Sequence, residues 1–331
     1  MLRQLLAEGR PLLADGATGT NLFEVGLTPG DNPEAWNATH SGRVRALHQS
    51  FVDAGADIVL TNSFGGNRRR LALHGLESRS RELNRLAAEN ARSVVDKAGR
   101  SIVVAGSVGP TGDPPRPEGA LGEDEAEEIF VEQIEGLRDG GADVAWIETM
   151  AEPMEIQAAA SAAIRVGLPY VMTASFERGG KTRTGMSPDF FAKLIGSFEV
   201  EPLAFGASCG VGAADLLISI LDMTESRPGA AVVAKASAGL PQWHGAHIHY
   251  SGSPELMGIY AGLAIDAGAR IVGGCCGTKP THLAAMRRAL DAHRAGARPD
   301  VAQIIAALGP LVSPVAAEPA ARSRRRAREG A

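Results

Sequence analysis

Eight short, nearly unbroken apolar runs alternate with amphipathic stretches along this chain, and that rhythm limits its fold more than any other feature. The runs are PLLADGA (11–17), ADIVLTNSF (56–64), SIVVAGSVGP (101–110), ADVAWIETM (142–150), PYVMTASFE (169–177), LAFGASCG (203–210), AAVVAKASAG (230–239) and ARIVGGCCG (269–277). A strand with one wet face alternates apolar and polar residues; a run that is apolar throughout fits a parallel strand covered on both faces. Helical periodicity fills 41–54, 78–98, 123–140, 153–166, 212–223, 254–267 and 279–293. Three of these stretches end alike, in DAGAD (53–57), DGGAD (139–143) and DAGAR (266–270). Each puts a glycine where a helix C-terminus needs it and starts the next strand at once. Eight βα units with short return turns predict an α/β fold, a single-domain (β/α)8 TIM barrel, over an open doubly wound sheet.

The barrel is expected over residues 1–312 of the 331. α/β barrels fill this length as one domain. Residues 313–331, SPVAAEPAARSRRRAREGA, are Ala/Pro/Arg-rich and aperiodic, and are expected to be a disordered, solvated tail. A net charge of −5 gives no bias toward nucleic acid or anionic membrane, and neither partner is expected. No apolar run approaches the roughly 18 residues needed to span a bilayer, and the start lacks a signal-peptide core. Three cysteines in a chain this size point to a reducing compartment, the cytoplasm, where thiols serve metals or catalysis. Homo-oligomerisation is left open.

Two of those cysteines, Cys275 and Cys276, are adjacent and lie at the end of the eighth run; Cys209 lies at the end of the sixth. The ends of barrel strands are where chemistry occurs in this fold, and the long connections at 18–40, 108–122 and 239–253 belong to the same face. Neighbouring side chains of a regular strand point to opposite faces. Cys275 and Cys276 converge only if the backbone leaves the pleat, which Gly273, Gly274 and Gly277 permit. Three thiolates form a zinc set with one position open for substrate. Zn2+ with three thiolates carries net −1, polarises carbonyls poorly and suits a soft fourth ligand such as a thiol. Binding would deprotonate that thiol, so the chemistry implied is alkyl transfer to sulfur. Three inert buried thiols and a vicinal redox disulfide are the competing readings.

The segments DGATGTNL (15–22), ADIVLTNSFGGNRRRL (56–71), WIET (146–149), GASCGVGAADL (206–216) and IVGGCCGTKPTHLAAM (271–286) resemble the homocysteine S-methyltransferase family, most of all its bacterial betaine–homocysteine S-methyltransferase branch. The resemblance covers about residues 11–293. It implies a zinc (β/α)8 barrel with Cys209, Cys275 and Cys276 as the metal ligands. It implies that Asp15 and Glu148 hold the homocysteine amino group. Carboxylate partners in a partly dry site suit an ammonium. The backbone N–H groups of Gly16, Ala17 and Thr18 are candidates for the substrate carboxylate. The sequence departs from the family pattern at Ser208, where Asn usually precedes the first zinc cysteine. It departs from the animal betaine enzymes at Gly65 and Thr149, where they carry tyrosine.

A quaternary or sulfonium methyl donor is held by aromatic faces. Trp36 and Phe64 are the donor-site candidates; Trp243 is read as a loop anchor and Trp146 as barrel packing. His244, His247 and His249 are read as loop histidines rather than a second metal site, and the three arginines at 68–70 as a solvated helix face. The expected reaction is methyl transfer from glycine betaine to homocysteine, giving methionine and dimethylglycine. Rival donors are S-methylmethionine, dimethylsulfoniopropionate and a methylcobalamin-carrying partner protein, since the chain beyond the barrel is too short for a cobalamin domain. Rival classes are a non-catalytic zinc or thiol sensor and a phosphate-binding lyase, for which no phosphate loop follows runs seven and eight.

Overall fold

The computed structural model describes residues 1–114, 119, 121–244 and 247–312, without the side chains at 178, 241–244 and 247–249. Eight parallel strands form the barrel: β1 (Leu12–Leu13), β2 (Ile58–Leu60), β3 (Val103–Val108), β4 (Val144–Met150), β5 (Tyr170–Ala174), β6 (Ala204–Cys209), β7 (Val232–Ala236) and β8 (Ala269–Gly274). Each pairs with its sequence neighbour, β8 pairs with β1, and a bridge from Ala14 to Ile58 closes the ring. The (β/α)8 barrel is the architecture predicted by the run-and-helix rhythm.

The continuous apolar runs are explained by two separate cores. Leu12, Ile58, Leu60, Val103, Val144, Trp146, Val171, Val233 and Ile271 point inward and fill the barrel. The alternate residues, among them Leu13, Val59, Val104, Ile147, Val232 and Val272, point outward into the core beneath the helices. Trp146 is fully buried among the inward set, as expected. The amino-terminal helix Leu2–Ala7 plugs the end opposite the strand C-termini with Leu2 and Leu5, which join the inner core.

The three glycine-capped helices end at Asp53, Asp139 and Asp266, and the glycines two residues later have φ of 96, 92 and 101°. Those left-handed conformations stop each helix and turn the chain back into a strand. Several described helices fall outside the predicted stretches, and two of them have clear caps. Pro188–Gly196 follows β5 and starts at Ser187, whose side chain accepts from Phe190 N–H. Val301–Leu308 starts with a capping box between Asp300 and Gln303. Both carry legible start signals in the sequence, but their apolar patterns are short. The connection after β7, expected as a loop, holds an antiparallel hairpin pairing Pro241–His244 with His247–Tyr250. Among the described residues no helix is long and apolar enough to cross a membrane. The expectation of a disordered tail at 313–331 lies outside the described residues.

Candidate metal and amino-acid site

Inward positions recur every second residue, so the interior can be followed toward the mouth by counting in twos. On β4 the series is Val144, Trp146, Glu148; on β7 it is Val233, Lys235, Ser237; on β8 it is Ile271, Gly273, Cys275. The apolar floor therefore gives way to charge and then to sulfur.

Cys209, Cys275 and Cys276 place their sulfurs within 4.8 Å of one another. Cys209 and Cys276 Sγ are 3.7 Å apart. A metal about 2.3 Å from two tetrahedrally arranged sulfurs keeps them roughly 3.8 Å apart, so the donor set fits a thiophilic divalent ion such as zinc. The backbone leaves the pleat to do this. β8 ends at Gly274, and Cys209 itself adopts a left-handed φ of 64°. A non-glycine residue in that region is uncommon and marks a constrained site. The glycines work differently from one another. Only Gly277 has positive φ, 78°. Gly273 and Gly274 serve close approach: a Cβ would lie 2.9 Å from Ala14 Cβ at Gly273, and 2.3 Å from Thr278 Oγ1 at Gly274.

Without a cation the thiols hold their protons. For Cys209 a hydrogen bond with Cys275 pulls the pKa down, but Cys276 and burial outweigh it and push it up to about 12. Cys276 is pushed up to about 12, its bond with Cys209 opposing those of Cys275 and burial. Cys275 is raised as well, first by its bond with Cys209 and then by burial. Metal binding must therefore displace protons, and metal affinity falls with falling pH.

Below the sulfurs lies a buried charge cluster. Asp15 is fully buried; its Oδ2 accepts from Leu60 N–H at 2.8 Å, and its Oδ1 faces Lys235 Nζ at 3.5 Å. Burial raises the Asp15 pKa from 3.8 to about 7 against the opposing attraction of Lys235. Glu148 accepts from Ser107 Oγ at 2.5 Å. Burial raises its pKa too, and Lys235 again opposes. Burial alone would lower the pKa of Lys235, but Asp15 and Glu148 hold it raised. Two carboxylates around one ammonium leave one negative charge, a vacancy in charge that a substrate ammonium would neutralise. Lys235 was not singled out in the sequence, although a lysine two residues beyond Val233 in an apolar run is a legible signal.

The backbone turn 16–18 is only partly free. Ala17 N–H donates to Thr278, at 3.1 Å to Oγ1 and 3.3 Å to O, so it is committed to the protein rather than to a substrate carboxylate. Gly16 is held to glycine by crowding: a Cβ would lie 2.9 Å from both Phe51 and Thr278. Thr18 opens the helix Thr18–Glu24.

Two departures from the family pattern touch each other. Ser208 Oγ accepts from Thr149 N–H at 3.1 Å and from Thr173 Oγ1 at 2.9 Å. Thr149 has a φ of 64°, and the β4–β5 register breaks there, between Ile147 and Met150. This kink follows directly on Glu148.

The donor candidates fare differently. Trp36 packs with Leu22, Leu27 and Val44 in a satellite core. His40 stacks on it at 4.5 Å, and Arg43 lies 5.1 Å from its ring centroid. Its neighbours thus account for it as a packing residue. Phe64 is half-buried, with Arg70 Cζ 5.6 Å from its centroid. The guanidinium of Arg70, whose Nε donates to Pro110 O at 3.0 Å, lies over that ring instead of in bulk solvent. The side chains of Trp243, His244, His247 and His249 lie outside the described residues.

A family model described as homocysteine S-methyltransferase matches residues 12–290. Methionine synthases of Mycobacterium tuberculosis and Mycobacterium leprae are 31% identical over 296 residues and 30% identical over 304. The alignments take in 83% and 85% of this chain, which spans about a quarter (24%) of the length of either relative. Among solved structures, the oxidised form of the homocysteine methyltransferase MmuM from Escherichia coli superposes with a TM-score of 0.72 at 25% identity, over 87% of this chain and 98% of that one. The metallated form of MmuM superposes with the same TM-score at 24% identity, over 87% and 99%.

Proposed function

The chain belongs to the homocysteine S-methyltransferase family, and on that premise we propose that it transfers a methyl group from glycine betaine to homocysteine, giving methionine and dimethylglycine. The observation that carries this reading is the juxtaposition of three converging sulfurs with a buried cluster of net charge −1. One half suits a thiol and the other an ammonium, and homocysteine carries both. Zn2+ held by Cys209, Cys275 and Cys276 would keep the substrate sulfur ionised at neutral pH. Asp15 and Glu148 receive the α-ammonium, with Lys235 keeping the two carboxylates from repelling each other. The Gly16 and Thr18 N–H groups are the remaining backbone candidates for the α-carboxylate. The thiolate attacks a methyl carbon of the quaternary ammonium in line. The carbon–nitrogen bond breaks with its electron pair on nitrogen, and dimethylglycine leaves as a neutral amine, so no general acid is required. Holding both reactants at one mouth supplies much of the acceleration. Betaine as donor is supported by the resemblance of the sequence motifs to the bacterial betaine branch, with Phe64 the remaining aromatic candidate and Arg70, over its ring, a cation for the donor carboxylate.

The test is incubation of zinc-loaded protein with homocysteine and methyl-labelled glycine betaine. Label in methionine is the expected result. No label, with zinc and homocysteine both bound, would overturn betaine and leave sulfonium and corrinoid donors.

The ammonium subsite carries its own pH signature. A protonated Asp15 offers no charge to the substrate. With its pKa raised to about 7, homocysteine binding should weaken as pH falls below that value, approaching tenfold per unit. The stability sign is opposite. Between pH 3.8 and about 7 the native state holds a proton that the unfolded chain has released, so the contribution of Asp15 to stability falls as pH rises through that window. Titration of homocysteine affinity between pH 5.5 and 8.5 checks the first; flat affinity would remove Asp15 from the subsite.

A further inference from the structure

The reading above brings four sulfurs, three from the protein and one from the substrate, to a single electrophile. A methyl group delivered to a cysteine would form a carbon–sulfur bond there as the donor's carbon–nitrogen bond breaks, the electron pair leaving with the amine. That event would destroy the site. The structure gives Cys209 a partner that opposes it.

Ser237 Oγ donates to Cys209 Sγ at 3.6 Å, and the Ser237 N–H donates to Cys209 O at 3.3 Å. Tyr250 lies on the returning strand of the hairpin after β7, over the residue that follows Cys276. Its ring is clamped against the backbone beside that cysteine: a Cβ on Gly277 would lie 2.1 Å from Tyr250 Cγ. The hairpin base is tied to the site by Ala238 N–H to Cys276 O at 2.9 Å and Gly252 N–H to Ala238 O at 2.8 Å. Cys275, the inward sulfur, feels the buried ammonium of Lys235. A sulfur that donates density into a hydrogen bond is a weaker nucleophile, and groups around a metal ligand tune it in this way.

We propose that Ser237 is a positioning residue that favours methyl transfer to the substrate sulfur over Cys209 by hydrogen-bonding Cys209 and so quenching it. The proposal rests on the metal-thiolate reading, and its test separates the two. Full-length protein is loaded with zinc, its metal content is measured, and it is exposed to iodoacetamide without homocysteine. Alkylation of each cysteine is followed by peptide mass spectrometry. Ser237→Ala should alkylate about tenfold faster at Cys209 with Cys276 unchanged, the factor that a hydrogen bond to a charged group is worth. An unchanged rate at Cys209 in the zinc-loaded variant overturns the proposal. Equal acceleration at all three cysteines, or loss of zinc from the variant, would make Ser237 merely structural and also overturn it. A wild-type chain that binds no zinc overturns the metal reading itself.

Discussion

Cys276→Ala should lose bound zinc and methyl transfer together. The three sulfurs meet within 4.8 Å, and no histidine or carboxylate joins them in a cluster among the described residues, so no spare ligand stands ready. Structural zinc sites bind with about 10–16 kcal/mol from four ligands, so removing one is expected to weaken binding by roughly 3 kcal/mol, about a hundredfold or more. Turnover should fall to background, because a free homocysteine thiol is mostly protonated at neutral pH. Zinc content after dialysis and labelled-methionine formation are read on the same sample. The fold should survive, since Cys276 lies beyond the last residue of β8 and outside the two main cores. An active, zinc-free Cys276→Ala would end the proposed mechanism.

Lys235→Met should damage stability and substrate binding by separable routes. Lys235 is 2% exposed and Asp15 0%, so removing the ammonium leaves two buried carboxylates facing each other. Breaking a buried ion pair from one side costs about 3–5 kcal/mol. For a barrel of this size that is a fall in Tm of roughly 5–10 °C. The loss should be larger at pH 8 than at pH 6, because protonation relieves an unpaired carboxylate and only the higher pH forbids it. Adding Asp15→Asn removes one of the two charges and should restore much of the stability while leaving homocysteine binding weak. That double-mutant cycle distinguishes a charge-balancing lysine from one that only fills space. A Lys235→Met protein with unchanged Tm at both pH values would show that the ammonium balances nothing.

Most of the fold was legible because barrel strands must be apolar on both faces, and few other structures demand that. The β8 segment was legible for a different reason. Two adjacent cysteines amid glycines have little use in a pleated strand, so their presence announced a break in it. The reasons behind the glycines were only half readable: Gly277 answers to positive φ, Gly274 to Thr278 in the turn just after it, but Gly273 to Ala14, far away in sequence. Trp36 illustrates the opposite limit. A loop tryptophan near a barrel mouth looks like a cation cage in sequence, yet Arg43 and His40 already flank it.

By itself the sequence determined the number and parity of the strands, the caps that return the chain to them, and the gathering of three thiols at one rim. These follow from local periodicity and from residue types with few alternative uses. Only the tertiary structure decided which partners each thiol has, that Lys235 faces Asp15, that Ala17 N–H is already committed to Thr278, and that Thr149 and Ser208 meet. Each of those facts depends on residues brought together from different strands by closure of the barrel. Closure fixes radial distances across the barrel, and no repeat along the chain encodes them.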